Sequence, residues 1–358
     1  MSGTSLDGID VAALATDGQR RVDAGPALTV PYPAAFRERL RAVLGSEAPS
    51  ADIAAVEIEL TRLHAAAVAE FRARHPEIAI GLVAFHGHTI LHRPAEHRTW
   101  QIGDGALLAR LAGVDVVADF RSADIAAGGQ GAPLAPLYHA ALAADRAKPV
   151  AILNLGGVGN VTWIGPGANR GPDDGADEIL AFDTGPGNAL IDDWVHRHTG
   201  GAADIDGALA LAGAASAAHI ARFLEHPYFA RRPPKSLDRD DFQGAIPKDL
   251  ALADGAATLT EMTAASVAVA ARHFPAGPRE WLVCGGGRRN PALMAALARR
   301  LPVSVSAVEA VGWDGDALEA QAFAYLAVRS VLGLPLSLPA TTGAPHPIPG
   351  GRLFSVTP

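Results

Sequence analysis

The sequence has one cysteine and no excess of positive charge, and each shortage excludes a class of protein. Cys284 is the only cysteine among 358 residues, so no internal disulfide can form, which favours a reducing compartment. Lysine and arginine number 30 against 38 aspartates and glutamates, so the net charge is −8. No basic stripe is present to neutralise phosphates, and this excludes nucleic acid as a general partner.

Long apolar runs are also missing. No stretch of about 18 uninterrupted apolar residues occurs, so a membrane span is not expected. The N-terminus has neither the basic nor the apolar region of a secretion signal. The remaining composition, 49% hydrophobic with 19% charged residues, is typical of a well-buried globular enzyme. A chain of this length exceeds one typical core, so we expect a cytoplasmic protein of two domains.

Strand-like and helix-like segments alternate along the sequence. Apolar residues recur at helical spacing in residues 51–75 and 251–274, whereas the short apolar run 150–155 is typical of a buried strand. Residues 204–215 are also predicted to be helical, and the tail from Pro339 is predicted to be irregular. This alternation predicts an α/β protein with mixed or parallel sheets.

Four glycine-rich turns adjoin strand-like runs and carry the main functional signal. Glycine lets backbone amides approach an anion closely. Neither a phosphate loop ending in Gly-Lys-Ser/Thr nor a dinucleotide fingerprint in a strand–turn–helix context is present, so a phosphate-binding enzyme would need another cradle. Four turns in this order predict a nucleotide cleft. They lie at Gly3–Gly8, Asn154–Asn160, Asp183–Asn188 and Gly285–Asn290.

Each of three turns has a structural alternative. Gly3–Gly8 offers amides, two hydroxyls and a carboxylate that can hold phosphates, with Asp7 placing a magnesium ion through water; it also suits an ordinary β-turn. Asn154–Asn160 has more glycines than a hairpin needs, which suggests close approach of a ligand. Gly285–Asn290 suits either a purine lying on bare backbone or a tight strand-to-helix turn.

Asp183 is the candidate catalytic residue. The apolar run 179–182 delivers it into a turn fixed by Gly185, Pro186 and Gly187, and a helix-like run follows. An aspartate at a strand end facing a phosphate cradle can act as a base or as a metal partner. The alternative, an aspartate that caps the next helix, fits less well because Pro186 and Gly187 intervene.

Further candidates lie in the first 130 residues and near the C-terminus. His86, His88 and His92 resemble a metal set but have no carboxylate at a matching spacing, so contact with a sugar is the favoured interpretation. Arg121 can hold a substrate carboxylate in a bidentate fork, or form an ion pair with Asp119 or Asp124. Glu319 stands on a helix of small residues and faces either a cleft or solvent.

Together these motifs resemble one family, the anhydro-N-acetylmuramic acid kinases of the sugar kinase/Hsp70/actin-like superfamily. The similarity covers nearly the whole chain in the right order, and the first and fourth motifs are highly specific. The motifs are Met1–Asp10, Gln101–Asp104, Ala118–Arg121, Ala127–Pro133, Asn154–Asn160, Phe182–Asn188 and the Gly285 turn.

The resemblance implies an α/β, two-domain actin-like ATPase (ribonuclease H-like) fold that closes over ATP and sugar, each domain a mixed sheet flanked by helices. The first domain would comprise residues 1–126 plus 316–358, and the second 127–315. Family members carry a strand before the Met-Ser-Gly-Thr segment, so the first strand is expected to be missing here. In the implied reaction, 1,6-anhydro-N-acetylmuramic acid, ATP and water give N-acetylmuramic acid 6-phosphate and ADP, in bacterial murein recycling.

The resemblance also assigns residues. Asp183 would activate water, Arg121, Glu319 and His88 would contact the sugar, and Asp7 would hold Mg²⁺ through water. Gln is expected where His88 stands. The residues assigned to ATP are Gly3, Thr4, Ser5, Leu6, Asp7, Gly8, Ile9, Asp10, Gly156, Gly157, Gly159, Gly285, Gly286 and Gly287.

Two other functions stay open at this point. One is an ordinary hexose or amino-sugar kinase, in which the aspartate deprotonates the sugar hydroxyl and no glycosidic bond breaks. The other is a nucleotide-driven switch with slow, sugar-independent hydrolysis. A homodimer is expected only because dimers are common among enzymes.

Overall fold

The computed structural model describes residues 1–3, 6–170 and 178–356. The chain folds into two compact units. Unit 1 comprises the described residues of Met1–Leu142 and Ala317–Pro358, and unit 2 those of Ala143–Arg170 and Asp174–Asp316. Each unit combines sheets with helices, so the predicted α/β class is confirmed.

The described residues form fourteen strands. They are β1 (Gly8–Thr16), β2 (Val22–Pro31), β3 (Val83–Phe85), β4 (His88–Arg93), β5 (Arg98–Ile102), β6 (Val116–Ala118), β7 (Val150–Leu155), β8 (Val158–Ile164), β9 (Ile179–Pro186), β10 (Glu280–Cys284), β11 (Ser304–Ala307), β12 (Pro335–Ser337), β13 (Ile348–Pro349) and β14 (Arg352–Phe354).

Twelve α-helices accompany the strands in the same part of the chain. They are α1 (Ala34–Ala42), α2 (Ala51–Arg74), α3 (Gly105–Ala112), α4 (Ser122–Ala126), α5 (Pro136–Leu142), α6 (Ala189–Thr199), α7 (Ala208–Ala212), α8 (Ala217–Leu224), α9 (Leu252–Ala270), α10 (Pro291–Arg300), α11 (Leu318–Val331) and α12 (Pro339–Thr342). Among the described residues no single helix is long and apolar enough to cross a bilayer. The helical segments Ile205–Ala212 and Ala217–Leu224 are together long and apolar enough, but they are bent by 111° relative to each other.

Unit 2 is built on one five-stranded mixed sheet with the order β11-β10-β7-β8-β9. The central strand β7 runs parallel to β10 and antiparallel to β8, its hairpin partner. Alternate residues along a strand point to the same face, so Ala151, Leu153 and Leu155 pack into one core with Ala264 and Val267 of α9. This is the mixed sheet flanked by helices that the resemblance to actin-like ATPases predicts.

Unit 1 divides its strands among smaller sheets. The antiparallel pair β1-β2 forms one, and β14-β6-β3 forms another, in which β3 and β6 run parallel. No strand of the described residues joins β1 to β3. An apolar cavity of about 410 Å³, lined by residues of β1, the segment 78–85 and α11, lies at that place.

The predicted domain boundary after residue 126 differs from this division, because residues 127–142 lie in unit 1. The reason is a tertiary contact that no local pattern reveals. The Tyr138 hydroxyl of α5 donates a 2.8 Å hydrogen bond to Gln321 Oε1 of α11, and both side chains are buried. This hydrogen bond attaches α5 to unit 1.

Two predictions about secondary structure were wrong. The helix predicted over 204–215 is shorter than expected, because Asp206 and Gly207 have left-handed backbone conformations that interrupt it. The remaining helix, α7, is capped by the Asp204 carboxylate, which accepts hydrogen bonds from Leu209 N and Ala210 N. The tail contains strands, and β14 pairs antiparallel with β6. That pairing depends on a distant partner, which the local sequence does not disclose.

Candidate active site

Asp183 lies near the C-terminal end of β9, just before the turn that contains Gly185, Pro186 and Gly187. Its register partner on β8 is Asn160, whose Nδ2 donates a 2.8 Å hydrogen bond to Asp183 Oδ1. The Leu237 backbone N–H donates a second bond of 2.8 Å to Oδ2. Each carboxylate oxygen therefore has one donor, which fixes the plane of the carboxylate and leaves other lone pairs to accept a proton.

Burial raises the pKa of Asp183 to about 6. The hydrogen bonds from Asn160 and Leu237 and the charge of Lys235 oppose that rise, whereas nearby Asp238 adds to it. A carboxylate with a pKa just below neutrality is both ionised and basic enough to take a proton from water. The site therefore has the properties of a general base.

The segment Tyr228–Leu237, which we term the Asp183 frame, holds this aspartate from the side away from β8. The Tyr228 hydroxyl donates to the Asp183 carbonyl at 2.5 Å, and the Lys235 carbonyl accepts from Asp183 N at 3.0 Å. The sequence patterns do not reveal these contacts with Asp183. The run Pro233-Pro234 was the available signal, since consecutive prolines stiffen a backbone.

The three glycine turns of unit 2 meet. Gly187 N donates to the Gly157 carbonyl at 2.9 Å, and Asn188 Nδ2 donates to the Leu155 and Gly156 carbonyls at 2.9 and 3.1 Å. A Cβ added at Gly287 would lie 2.6 Å from Leu155 Cβ. The structure thus brings together three of the four predicted turns, those at 156–159, 185–188 and 285–287.

These glycines fall into two groups. At the first group a Cβ would strike the chain itself: at Gly159 it would lie 2.6 Å from Thr184 Oγ1, and at Gly285, with φ +74°, 2.2 Å from Asn154 Oδ1. At the second group the fold leaves room: the nearest atom is 3.7 Å away for Gly156 and for Gly157, and none lies within 4 Å for Gly286. Folding alone does not require glycine at the second group, so the backbone there is open to an external occupant.

Arg288 stabilises the turn at 285–287. Its side chain is buried, donates to Glu309 at 2.7 Å and to the Gly285 carbonyl at 2.9 Å, and pairs with Asp316 at 3.0 Å. These contacts fix the backbone of Gly285–Gly287. The role of this arginine is therefore structural within unit 2.

In unit 1, Thr4 and Ser5 of the first turn lie outside the described residues. Leu6, with φ +59°, and Ile9 have buried side chains, so only their backbone can face a ligand. Asp7 is exposed, as a carboxylate that reaches a hydrated ion must be, and Gly3 precedes it in the turn. Among the described residues no three His, Cys, Asp or Glu side chains form a metal-binding group. The Mg²⁺ assignment to Asp7 stays a prediction.

The start of β1 completes the first turn. A Cβ at Gly8 would lie 2.5 Å from the Val30 carbonyl oxygen, so glycine is required there by packing. Asp10 Oδ1 accepts a 2.7 Å hydrogen bond from Thr29 Oγ1 on β2. Both residues therefore have structural duties besides the predicted contact with ATP.

His88 contacts Ser2, next to the first turn, and is fully buried. Its Nδ1 lies 2.8 Å from Ser2 Oγ, which also accepts a 2.7 Å hydrogen bond from the Tyr32 hydroxyl. His88 has no exposed surface that could make the predicted contact with the sugar, because its ring is turned toward Ser2. His88 thus supports the position of the turn at Gly3.

Arg121 is held at two points. Its Nε donates to His86 Nε2 at 3.0 Å and its NH1 donates to the Gly131 carbonyl at 2.7 Å. The alternative ion pair with Asp124 does not form, because that carboxylate is occupied by Gly131 N at 2.6 Å and by Ser337 and Thr342. Arg121 interacts electrostatically with Glu319, which is exposed in the first turn of α11.

Comparisons with known proteins agree with the motifs. A family model described as anhydro-N-acetylmuramic acid kinase matches residues 1–355. A protein of that name from Paramagnetospirillum magneticum is 58% identical over 98% of this chain and 97% of its own length. Another, from Rhodospirillum rubrum, is 56% identical over 99% of this chain and 92% of its own length.

Solved structures are more distant. A ROK family glucokinase from Streptomyces griseus, in complex with glucose and AMPPNP, is 14% identical over 91% of this chain and 97% of that chain, with a TM-score of 0.42. The family match spans almost the whole sequence, and the resemblance drawn from the motifs is confirmed. The chain belongs to the anhydro-N-acetylmuramic acid kinase family.

Proposed function

We propose that this kinase opens the internal bridge of 1,6-anhydro-N-acetylmuramic acid with water and phosphorylates the freed O6 from ATP, with Asp183 as the general base. The products are N-acetylmuramic acid 6-phosphate and ADP, which places the enzyme in murein recycling. The observation that carries the assignment of the base is the Asp183 carboxylate, held by Asn160 and Leu237 with a pKa of about 6.

The internal bridge of the substrate has to open before O6 can be phosphorylated. O6 is bonded to the anomeric carbon, so it is not free to attack phosphorus until that bond breaks. Asp183 takes a proton from water, the resulting hydroxide bonds to the anomeric carbon, and the bond from that carbon to O6 breaks, as in an inverting glycosidase. O6 then accepts the γ-phosphoryl group and ADP leaves. Asp183 finally releases its proton to solvent.

For ATP, the residues of unit 2 fit a nucleotide. Gly156 and Gly157 leave backbone uncovered where phosphates would lie, and Gly286 does so where the adenosine would lie. The Gly3–Gly8 turn would hold the transferred phosphate, and Asp7 would hold Mg²⁺ through water. When bound, Mg²⁺ neutralises the charge that develops on the phosphates.

For the sugar, Arg121 is the strongest candidate in unit 1. The two bonds to His86 and to the Gly131 carbonyl set the direction of its guanidinium, which can then pair with the lactyl carboxylate of the substrate. Glu319 is proposed to accept from sugar hydroxyls, and His88 to act through the first turn. A cytoplasmic location and a homodimer remain predictions of the sequence.

The test is to incubate the full chain with the anhydro sugar and ATP in water enriched in ¹⁸O and to follow the anomeric carbon by ¹³C NMR. We expect ADP formation, ring opening and one ¹⁸O at the anomeric carbon. Transfer of phosphate without ring opening would favour an ordinary sugar kinase. ADP formation that does not depend on the sugar would favour a nucleotide switch.

A further inference from the structure

Lys235 is a buried cation beside the candidate base. Its side chain is 3% exposed, although lysine is rarely buried without a charged partner. No carboxylate of the described residues lies within 4.0 Å of its Nζ. The ammonium donates to the Tyr228 carbonyl at 3.2 Å and lies 4.5 Å from the centre of the Tyr228 ring and 5.6 Å from that of Phe182.

The backbone at Lys235 and at Leu237 is hydrogen-bonded to Asp183. The Lys235 carbonyl accepts from Asp183 N, and two residues later Leu237 N donates to the Asp183 carboxylate. Tyr228, whose carbonyl the ammonium holds, donates its hydroxyl to the Asp183 carbonyl. The lysine therefore ties the two ends of the Asp183 frame to each other.

We propose that Lys235 is a positioning residue for Asp183: its ammonium keeps the Asp183 frame against β9, and its charge favours the ionised carboxylate. The proposal rests on the function proposed above for Asp183. A neutral side chain of similar length would fill the same space and lose both the bond to Tyr228 and the charge. The arrangement explains why a cation is buried here without an ion pair.

The charged groups that face the pair are few. Lys235 faces Arg231, His273 at 3.5 Å and Asp183, and Asp183 also faces Asp238. Burial lowers the pKa of Lys235 to about 8, with a further contribution from Arg231, so the lysine is still protonated at neutral pH. Its positive charge opposes that of Asp238, which would otherwise push the carboxylate toward its protonated form.

The experiment compares Lys235→Met and Lys235→Arg in the full chain. The ratio kcat/KM for the anhydro sugar is measured from pH 5 to 9. We expect the acid limb of the Lys235→Met pH–rate profile to move up by about one pH unit, the scale of losing a nearby opposite charge, so that activity falls about fivefold at pH 6 and far less at pH 8.5. Lys235→Arg keeps the charge and should keep the native limb.

Two outcomes would overturn the proposal. The first is a Lys235→Met enzyme whose acid limb coincides with the native one, whatever its maximum rate. The second is loss of the fold, judged by circular dichroism, in both Lys235→Met and Lys235→Gln, which would make the lysine purely structural. Lys235→Gln retains a donor for the Tyr228 carbonyl, so it should fold and show the same shifted limb.

The parent assignment is tested separately with Asp183→Asn. An active Asp183→Asn enzyme would refute the role of the base itself, and the lysine proposal with it. An inactive one together with an unshifted Lys235→Met limb would refute only the role of Lys235. The two failures therefore give different results.

Discussion

The Leu237 backbone N–H donates a 2.8 Å hydrogen bond to Asp183 Oδ2 across 54 residues of sequence. With Asn160 on the other oxygen, the carboxylate is held by one side-chain donor from a neighbouring strand and one backbone donor from the Asp183 frame. A base held in this way loses little entropy when water is placed against it.

Replacing Asp183 by asparagine should abolish most of the turnover. We expect kcat to fall by two to four decades, the usual range for loss of a general base, with ATP affinity nearly unchanged. Steady-state kinetics and calorimetric titration with ATP measure the two quantities. Asp249→Asn, at an exposed aspartate of the same unit that pairs with His219, is the control and should behave as the native enzyme. Native-like turnover in Asp183→Asn would contradict the assignment.

Activity should fall on the acid side with an apparent pKa of about 6. The base must be ionised to accept a proton, so kcat/KM should be constant above this pH and drop tenfold per pH unit well below it. The measurement is a pH–rate profile at saturating ATP. A limb near pH 4, the ordinary range of aspartate, would show that burial does not control this carboxylate.

The stability of the fold should also reveal the raised pKa. Its folded value of about 6 exceeds the ordinary 3.8, so the charged form penalises the folded state fully above pH 6 and not at all below about pH 4. Asparagine carries no charge at any of these pH values. The unfolding temperature of Asp183→Asn minus that of the native protein should therefore rise between pH 4 and 8. A difference that is independent of pH would contradict this.

Two adjacent glycines provide a matched pair. Gly285→Ala should destabilise the protein by about 1–2 kcal/mol or more, because its φ is +74° and the new Cβ would meet Asn154 and the Leu155 carbonyl. Gly286→Ala should unfold as the native protein does, since no atom lies within 4 Å of its Cβ, but should weaken ATP binding about tenfold or more. Thermal unfolding and ATP titration separate the two effects. Unchanged ATP affinity in a folded Gly286→Ala would remove this turn from the nucleotide site.

Arg121→Lys should raise KM for the sugar about tenfold or more while KM for ATP changes little. Lysine has no planar fork, so it cannot keep the bonds to His86 and Gly131 and still present two donors to a carboxylate. Arg98→Lys, at a half-exposed arginine of β5, is the control. A parallel rise of both KM values in Arg121→Lys would indicate a general disturbance of the fold instead of a sugar contact.

Much of the candidate site was accessible from sequence because its parts are local. Glycine spacing identified the turns at 156–159 and 285–287, and an apolar run ending in an acid identified Asp183. The partners of that acid were not accessible in the same way. Leu237 contributes only a backbone N–H, which any residue but proline supplies, and no side-chain pattern marks it.

The sequence by itself determined the family, the α/β class, the glycine turns and the acid, because each depends on residue type and short-range spacing. Only the tertiary structure decided which glycines serve folding and which leave space, that His88 faces Ser2, and that Lys235 lies buried beside Asp183. These properties arise from contacts between segments far apart in the chain. Burial and close approach depend on where distant atoms come to lie, and local periodicity carries no record of that.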